Sequence, residues 1–126
     1  MAEKLEFNCN EADLHGLTNG SIPIADFLNN LFTDTEKYTQ MCSALQAYHR
    51  NDGGSPEVHA FEVAKPFFDN SNSTGRFRCR FQIDYFFTCS DLRNVGADTI
   101  DWDFRIENNT LYLTGEEVLE RDSEEF

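Results

Sequence analysis

The stretch Phe77-Arg78-Cys79-Arg80-Phe81-Gln82-Ile83-Asp84-Tyr85-Phe86-Phe87-Thr88-Cys89 decides the reading of this chain. Its odd positions are all apolar or aromatic, and its even positions are polar except Phe86. Only a pleated strand sends alternate residues to opposite faces. The pattern therefore predicts a long strand over 76–89, central to a sheet, with its odd face in the core. At ~3.3 Å per residue the run spans about 40 Å if straight, which predicts a bend or a bulge along it.

The flanking sequence supplies partners and cover. Leu5, Phe7 and Cys9 alternate with Glu6 and Asn8, which predicts a short, charged edge strand. Asn10 to Gly20 reads as a polar connector, with Asn19-Gly20 as a turn and His15 as a solvated loop histidine. Ser21 as N-cap and Pro23 mark a helix start, and Ile24, Phe27, Leu28, Leu31 and Phe32 form an amphipathic stripe over 22–32. Thr33-Asp34-Thr35-Glu36 has capping-box spacing, and Tyr38, Met41, Cys42, Leu45 and Tyr48 or His49 stripe a second helix over 34–49. The run Asn51 to Pro56, with paired glycines and a proline, ends it.

Beyond Glu57 the period changes to two. Residues 57–68 carry Phe61, Val63 and Phe67 on one face, with Pro66 marking an edge or a bulge. Asp69 to Gly75 is a polar hairpin loop, and Ser90 to Thr99 reads as a connector turning at Gly96. Ile100, Trp102, Phe104 and Ile106 alternate with Asp101, Asp103, Arg105 and Glu107, a half-buried strand, and Asn108-Asn109 turns tightly into Thr110–Thr114. The class is α+β: two N-terminal helices on one face of a curved, mainly antiparallel sheet of four to five strands, in the order β-α-α-β-β-β-β.

An antiparallel pairing across that ten-residue connector sets Ile83 opposite Ile106, Tyr85 opposite Phe104, Phe87 opposite Trp102 and Cys89 opposite Ile100. On the outer face it joins Asp84 to Arg105. Arg78 and Arg80 then fall beyond the acidic strand and turn to Glu62. With Arg76 they make a small basic island, read as a solvated, partly paired face.

A chain of 126 residues fits a single domain over 1–126, burying roughly two thirds of its unfolded surface, with an acidic tail at 118–126 that frays. Twelve Phe, four Tyr and one Trp supply core volume. The formal charge is −13, from 23 acidic against 10 basic residues, so nucleic acid and anionic membranes are repelled and basic partners favoured. No run approaches the ~20 apolar residues of a membrane span, and the start of the chain lacks the pattern of a signal peptide. Cys9, Cys42, Cys79 and Cys89 form no C-x-x-C pair, the usage of reduced thiols in a cytoplasmic protein.

Phosphate-loop, dinucleotide-binding, serine-hydrolase and zincin motifs are all missing, and neither metal nor cofactor is expected. The favoured expectation is a non-enzymatic protein that docks its carboxylates on a basic surface of another macromolecule, as immunity proteins and nucleic-acid-mimicking inhibitors do. Its docking residues are Asp98, Asp101, Asp103, Glu107, Glu116, Glu117 and Glu120. One alternative is a cone-shaped ligand-binding or catalytic domain, of nuclear-transport-factor-like or cystatin-like architecture, with His59 facing Tyr85 inside. Another is self-association, as a homodimer, through outward Phe86 and an exposed sheet edge.

Overall fold

In the computed structural model, which describes residues 2–50, 55–87 and 92–117, three helices cover one face of a five-stranded antiparallel sheet. The strands are β1 (Lys4–Asn8), β2 (Phe61–Asp69), β3 (Thr74–Phe87), β4 (Leu92–Glu107) and β5 (Thr110–Gly115), in the spatial order β1-β5-β4-β3-β2. The helices are α1 (Glu11–Thr18), α2 (Ile24–Leu31) and α3 (Thr35–Ala47). No helix is long and apolar enough to cross a membrane among the described residues.

One helix more than expected comes from the connector. Asn10 caps α1 by accepting a hydrogen bond from the Ala12 N–H at 2.7 Å, satisfying a donor that the first turn leaves without an intrahelical partner. Only Leu14 and Leu17 are large apolar residues on this helix and both are buried, too few to write a stripe in the sequence. Gly16 is buried against Ile22, where a side chain would collide. At the next start Pro23 occupies the N-cap position of α2, and the Ser21 hydroxyl instead donates back to the Gly16 carbonyl at 3.3 Å. Asp34, one residue beyond the expected Thr33, caps α3 by accepting from the N–H groups of Glu36 (2.9 Å) and Lys37 (3.3 Å).

The core lies between the helices and one sheet face. Phe77, Cys79, Phe81 and Ile83 of β3 meet Ile100, Trp102 and Phe104 of β4, with Leu111 and Leu113 of β5 and Phe7 of β1. Phe27, Leu28, Phe32, Met41 and Leu45 close it from the helical side. Each fully buried large side chain, such as Leu28, Met41 or Leu45, contributes about 1.5–3 kcal/mol relative to exposure. Aromatic edges organise the interior: Phe32 stands edge-on to Phe7 at 6.0 Å and to Phe61 at 5.1 Å between ring centroids.

The sheet corrects three expectations. The connector at 90–99 is strand from Leu92 onward, so β4 runs 16 residues, and it is β4, not β3, that lies at the centre. The β3–β4 register is displaced by ten residues: Ile83 faces Gly96, Asp84 faces Val95 and Arg105 faces Thr74, so the Asp84–Arg105 pair does not form. A displacement of ten is even, and the side-chain period is two, so the buried face survived although every partner changed. Residues 88–91 lie between the two strands in sequence, and Cys89 is outside the described residues.

The third correction concerns β2. Phe61 faces Phe81 and Ala64 faces Arg78, but Phe67 faces Arg76, a register shift between Ala64 and Phe67. Lys65 takes a left-handed φ of 49°, and Pro66 follows it. This is the bulge that Pro66 signalled, and it inserts one residue, so that Phe67 crosses to the helix-free face and Phe68 takes the inward place. Phe67 is 61% exposed, whereas Phe68 stacks on Phe104 with planes 5° apart. The turn at Asn108-Asn109 is as expected, with φ of 51° and 63°, the left-handed pair of a two-residue hairpin.

Candidate functional site

The helix-free face of the sheet holds the even residues of β3 and β5 and the odd residues of β4. Its rows follow from the register. Glu62 neighbours Arg80; Ala64, Arg78 and Asp101 form the next row; Phe67, Arg76, Asp103, Thr114 and Lys4 form a third; Thr74, Arg105, Tyr112 and Glu6 form a fourth. Arginines therefore sit directly opposite the carboxylates of β4. The Arg78 guanidinium donates twice to Asp101, from Nε at 2.6 Å and from Nη2 at 3.2 Å, and the Arg76 Nε donates to an Asp103 oxygen at 3.0 Å. Arg80 lies 3.5 Å from Glu62, the partner expected for it. The basic island is thus one side of an ion-pair ladder rather than an isolated patch.

The Arg78 hydrogen bonds hold the Asp101 carboxyl below the usual carboxylate range, and the same bonds with Asp101 raise the Arg78 guanidinium. A further donor reaches this row's end, where the Asp101 N–H donates to the Glu116 carboxylate at 2.7 Å. Such exposed pairs contribute little to stability, but they set orientation and register across the face.

The acidic residues named from sequence are not brought onto one surface. Asp101, Asp103 and Glu107 share the helix-free face, with Glu107 3.7 Å from the Arg105 Nε. Asp98 faces Phe81 in the register and so belongs to the helical side, where it lies 2.9 Å from the His49 Nε2. Glu116 and Glu117 are exposed beyond the end of β5. Glu120 and the tail 118–126 lie outside the described residues, as does the Phe86 side chain.

The His59–Tyr85 pair does not form. Glu57 bridges Asp84, Tyr85 pairs with Asn94, and the His59 ring is 68% exposed, 3.1 Å from the Glu57 carboxylate and 3.8 Å from that of Asp84. The interior that was to hold a pocket is filled by Trp102, Phe77 and Met41, none of them exposed to solvent. Among the described residues no three His, Cys, Asp or Glu side chains converge as metal ligands. Cys9, Cys42 and Cys79 are free thiols, all pushed upward by burial and so poorly nucleophilic.

Sequence reading missed a cleft of about 710 Å³ on the helix-free face. Phe67 stands on its β2 side and Tyr112 on its β5 side, with Arg76, Asp103 and Arg105 between them. The Arg105 guanidinium lies over the Tyr112 ring, 4.4 Å from its centroid. The signal in the sequence was Pro66, but its consequence for Phe67 depended on which residue the bulge inserted.

The helical layer is less balanced in charge than the sheet. Residues 10–47, the helical layer, carry Glu11, Asp13, Asp26, Asp34 and Glu36 against Lys37 alone, whereas Lys4, Lys65, Arg76, Arg78, Arg80 and Arg105 all belong to sheet strands. Compared with protein-family models, curated proteins and solved structures, the chain matches none.

Proposed function

We propose that this chain is a non-enzymatic binding protein that docks through carboxylates on a basic surface of another protein, in the manner of immunity proteins and nucleic-acid-mimicking inhibitors. The observation that carries the reading is the partition of charge: the sheet face answers its carboxylates with arginines, and the helical layer does not. Of five carboxylates there, Asp34 alone is met by Lys37, at 3.2 Å. The docking surface is therefore weighted toward Glu11, Asp13, Asp26 and Glu36, joined by Asp98, Glu116 and Glu117; Glu120 lies outside the described residues. Asp101, Asp103 and Glu107 stand on the opposite face, beside Arg78, Arg76 and Arg105, and are left out of it.

Surface carboxylates steer a basic partner over distances comparable to the Debye length, about 8 Å at physiological ionic strength, so association is fast and salt-sensitive. The reading places the protein in a reducing, intracellular compartment, where Cys9, Cys42 and Cys79 stay free. Self-association through sheet edges is disfavoured by the edges themselves. β1 has only five residues, including exposed Lys4 and Glu6, and β2 carries the bulge, Lys65 and Pro66.

The test is affinity capture on the immobilised full chain from host lysate, washed at graded salt, followed by association kinetics with the captured protein. Glu11→Lys, Asp13→Lys and Glu36→Lys together should slow association at least tenfold, and Asp101→Asn with Asp103→Asn should change it little. Binding that persists unchanged at high salt, or is insensitive to the helical reversals, rejects the reading.

A further inference from the structure

We propose that the cleft on the helix-free face is a binding site for a small aromatic carboxylate, its ring received against Phe67 and its carboxylate held by Arg76 and by Arg105, whose guanidinium is braced on the Tyr112 ring. This site is separate from the docking surface proposed above. It lies on the opposite side of the sheet from the helices, so either can fail alone.

Three observations carry it. First, Phe67 is one of two large apolar residues exposed among those described, and it is exposed only because of a bulge. Without the inserted residue Phe67 would point inward with Phe61 and Val63. The chain instead accepts a left-handed Lys65 and an interrupted ladder to set a ring beside Arg76. Bulges re-aim side chains in this way next to sites. Gly75 completes the device, since a side chain there would run into the Phe67 carbonyl and the Phe104 ring.

Second, the two arginines hold donors in reserve. Arg78 spends Nε and Nη2 on Asp101, but Arg76 uses only Nε on Asp103, and Arg105 approaches Glu107 no closer than 3.7 Å. Among the described residues the Nη groups of Arg76 and Arg105 have no hydrogen-bond partner. Their side chains are 66% and 53% exposed and both line the cleft. Guanidinium forks match the two oxygens of a carboxylate, and residues diagonal on adjacent strands stand about 7–8 Å apart, within reach of one anionic group.

Third, the cleft's volume lies within the ~300–1,000 Å³ of small-molecule sites, and its lining sets the exposed Phe67 ring beside a few polar and charged groups, as such sites do. Asp103, Glu107 and Glu6 are the carboxylates around it. Asp103 accepts from Arg76 through Nε alone, which leaves the Nη edge uncommitted, and Lys4 stands beside Thr114 on the same face as Glu6.

The experiment is a titration of the full-length, isotope-labelled chain with 2-naphthoate, followed by backbone amide NMR shifts, with 2-naphthylmethylamine as the control of opposite charge. The naphthoate should produce saturable shifts at Phe67, Arg76, Arg105 and Tyr112, and the amine should not. Arg76→Ala and Arg105→Ala should each weaken naphthoate at least tenfold, and Phe67→Ser should weaken it several-fold. The thermal midpoint of Phe67→Ser should stay within about 2 °C of the parent, because most of that ring is already in water. Equal shifts from the amine, shifts centred elsewhere, or no saturable binding by about 5 mM naphthoate overturn the proposal.

Discussion

Replacing Gly75 by alanine tests whether the bulge and the inner aromatic stack are built as one unit. Inside a strand, glycine to alanine ordinarily gains roughly 0.5–1 kcal/mol, because it removes backbone freedom from the unfolded chain. At Gly75 the added methyl would lie 2.7 Å from the Phe104 Cε2, and closer still to the Cζ of that ring and to the Phe67 carbonyl oxygen. The carbonyl belongs to the bulge backbone and cannot rotate away. The ring is held by Phe68 at 6.2 Å and Phe77 at 6.1 Å. Overpacking of this kind costs about 1–3 kcal/mol, and disturbing the Phe68–Phe104 stack about 0.5–1.5 kcal/mol more. The clash outweighs the entropic gain, leaving a net loss of about 1–3 kcal/mol. For a domain of this size 1 kcal/mol corresponds to roughly 4 °C, so the midpoint should fall by about 4–12 °C. Thermal unfolding by circular dichroism and urea titration at 25 °C both read it. A midpoint unchanged or raised in Gly75→Ala refutes the reasoning, since the carbonyl and the ring would then have yielded at no cost.

Other outcomes follow from single contacts. Asn10→Ala should destabilise by about 1 kcal/mol through loss of the α1 cap, with faster amide exchange at Ala12; unchanged exchange there rejects the cap. Tyr48→Phe deletes a hydroxyl that accepts from the Glu3 N–H at 3.1 Å and donates to the Glu116 carbonyl at 2.8 Å. It should cost about 1–2 kcal/mol and expose the Glu3 amide to exchange, and a silent Glu3 would show that the clasp is idle. Asp34, Asp69 and Asp101 are held below the ordinary carboxylate range by hydrogen bonds from Lys37, Ser71 and Arg78. Because their folded values are depressed, the stability they confer is complete above the unfolded value, about 3.9, and is lost as pH falls through the folded values. The triple replacement by asparagine should therefore flatten the decline of the midpoint below about pH 4, and a decline parallel to the parent's would exclude them as its source.

Alternation made the sheet's two faces legible, and it did so for a physical reason. Phe77, Cys79, Phe81 and Ile83 must share a side whatever strand lies beside them, so their burial was readable from one strand alone. Register was not. Asp84 opposite Arg105 and Arg78 opposite Asp101 are both opposite-charge pairings, and only the length of the connection separates them. Val95, exposed, and Gly96 lie at the open end of β4, where weak alternation hid a strand. Helix α1 was hidden by polarity, since a helix that buries two leucines and is capped by an asparagine resembles a loop until its tertiary partners are known. The candidate cleft was illegible for a sharper reason: a single inserted residue at Lys65-Pro66 reverses where Phe67 points, and no periodicity records that.

The pairing of β1 with β5 joins opposite ends of the described chain: Leu5 lies opposite Leu113 and Phe7 opposite Leu111. Closing a loop of that length costs roughly 4 kcal/mol of chain entropy before any contact returns it, whereas the Asn108-Asn109 turn brings β5 to β4 within microseconds. During vectorial synthesis β1 is therefore made long before the partner that places it. Leu5 and Phe7 wait unpaired until β5 has emerged and folded back onto β4. Apolar strand residues are most open to aggregation in that interval, and slowing translation before Thr110 lengthens it.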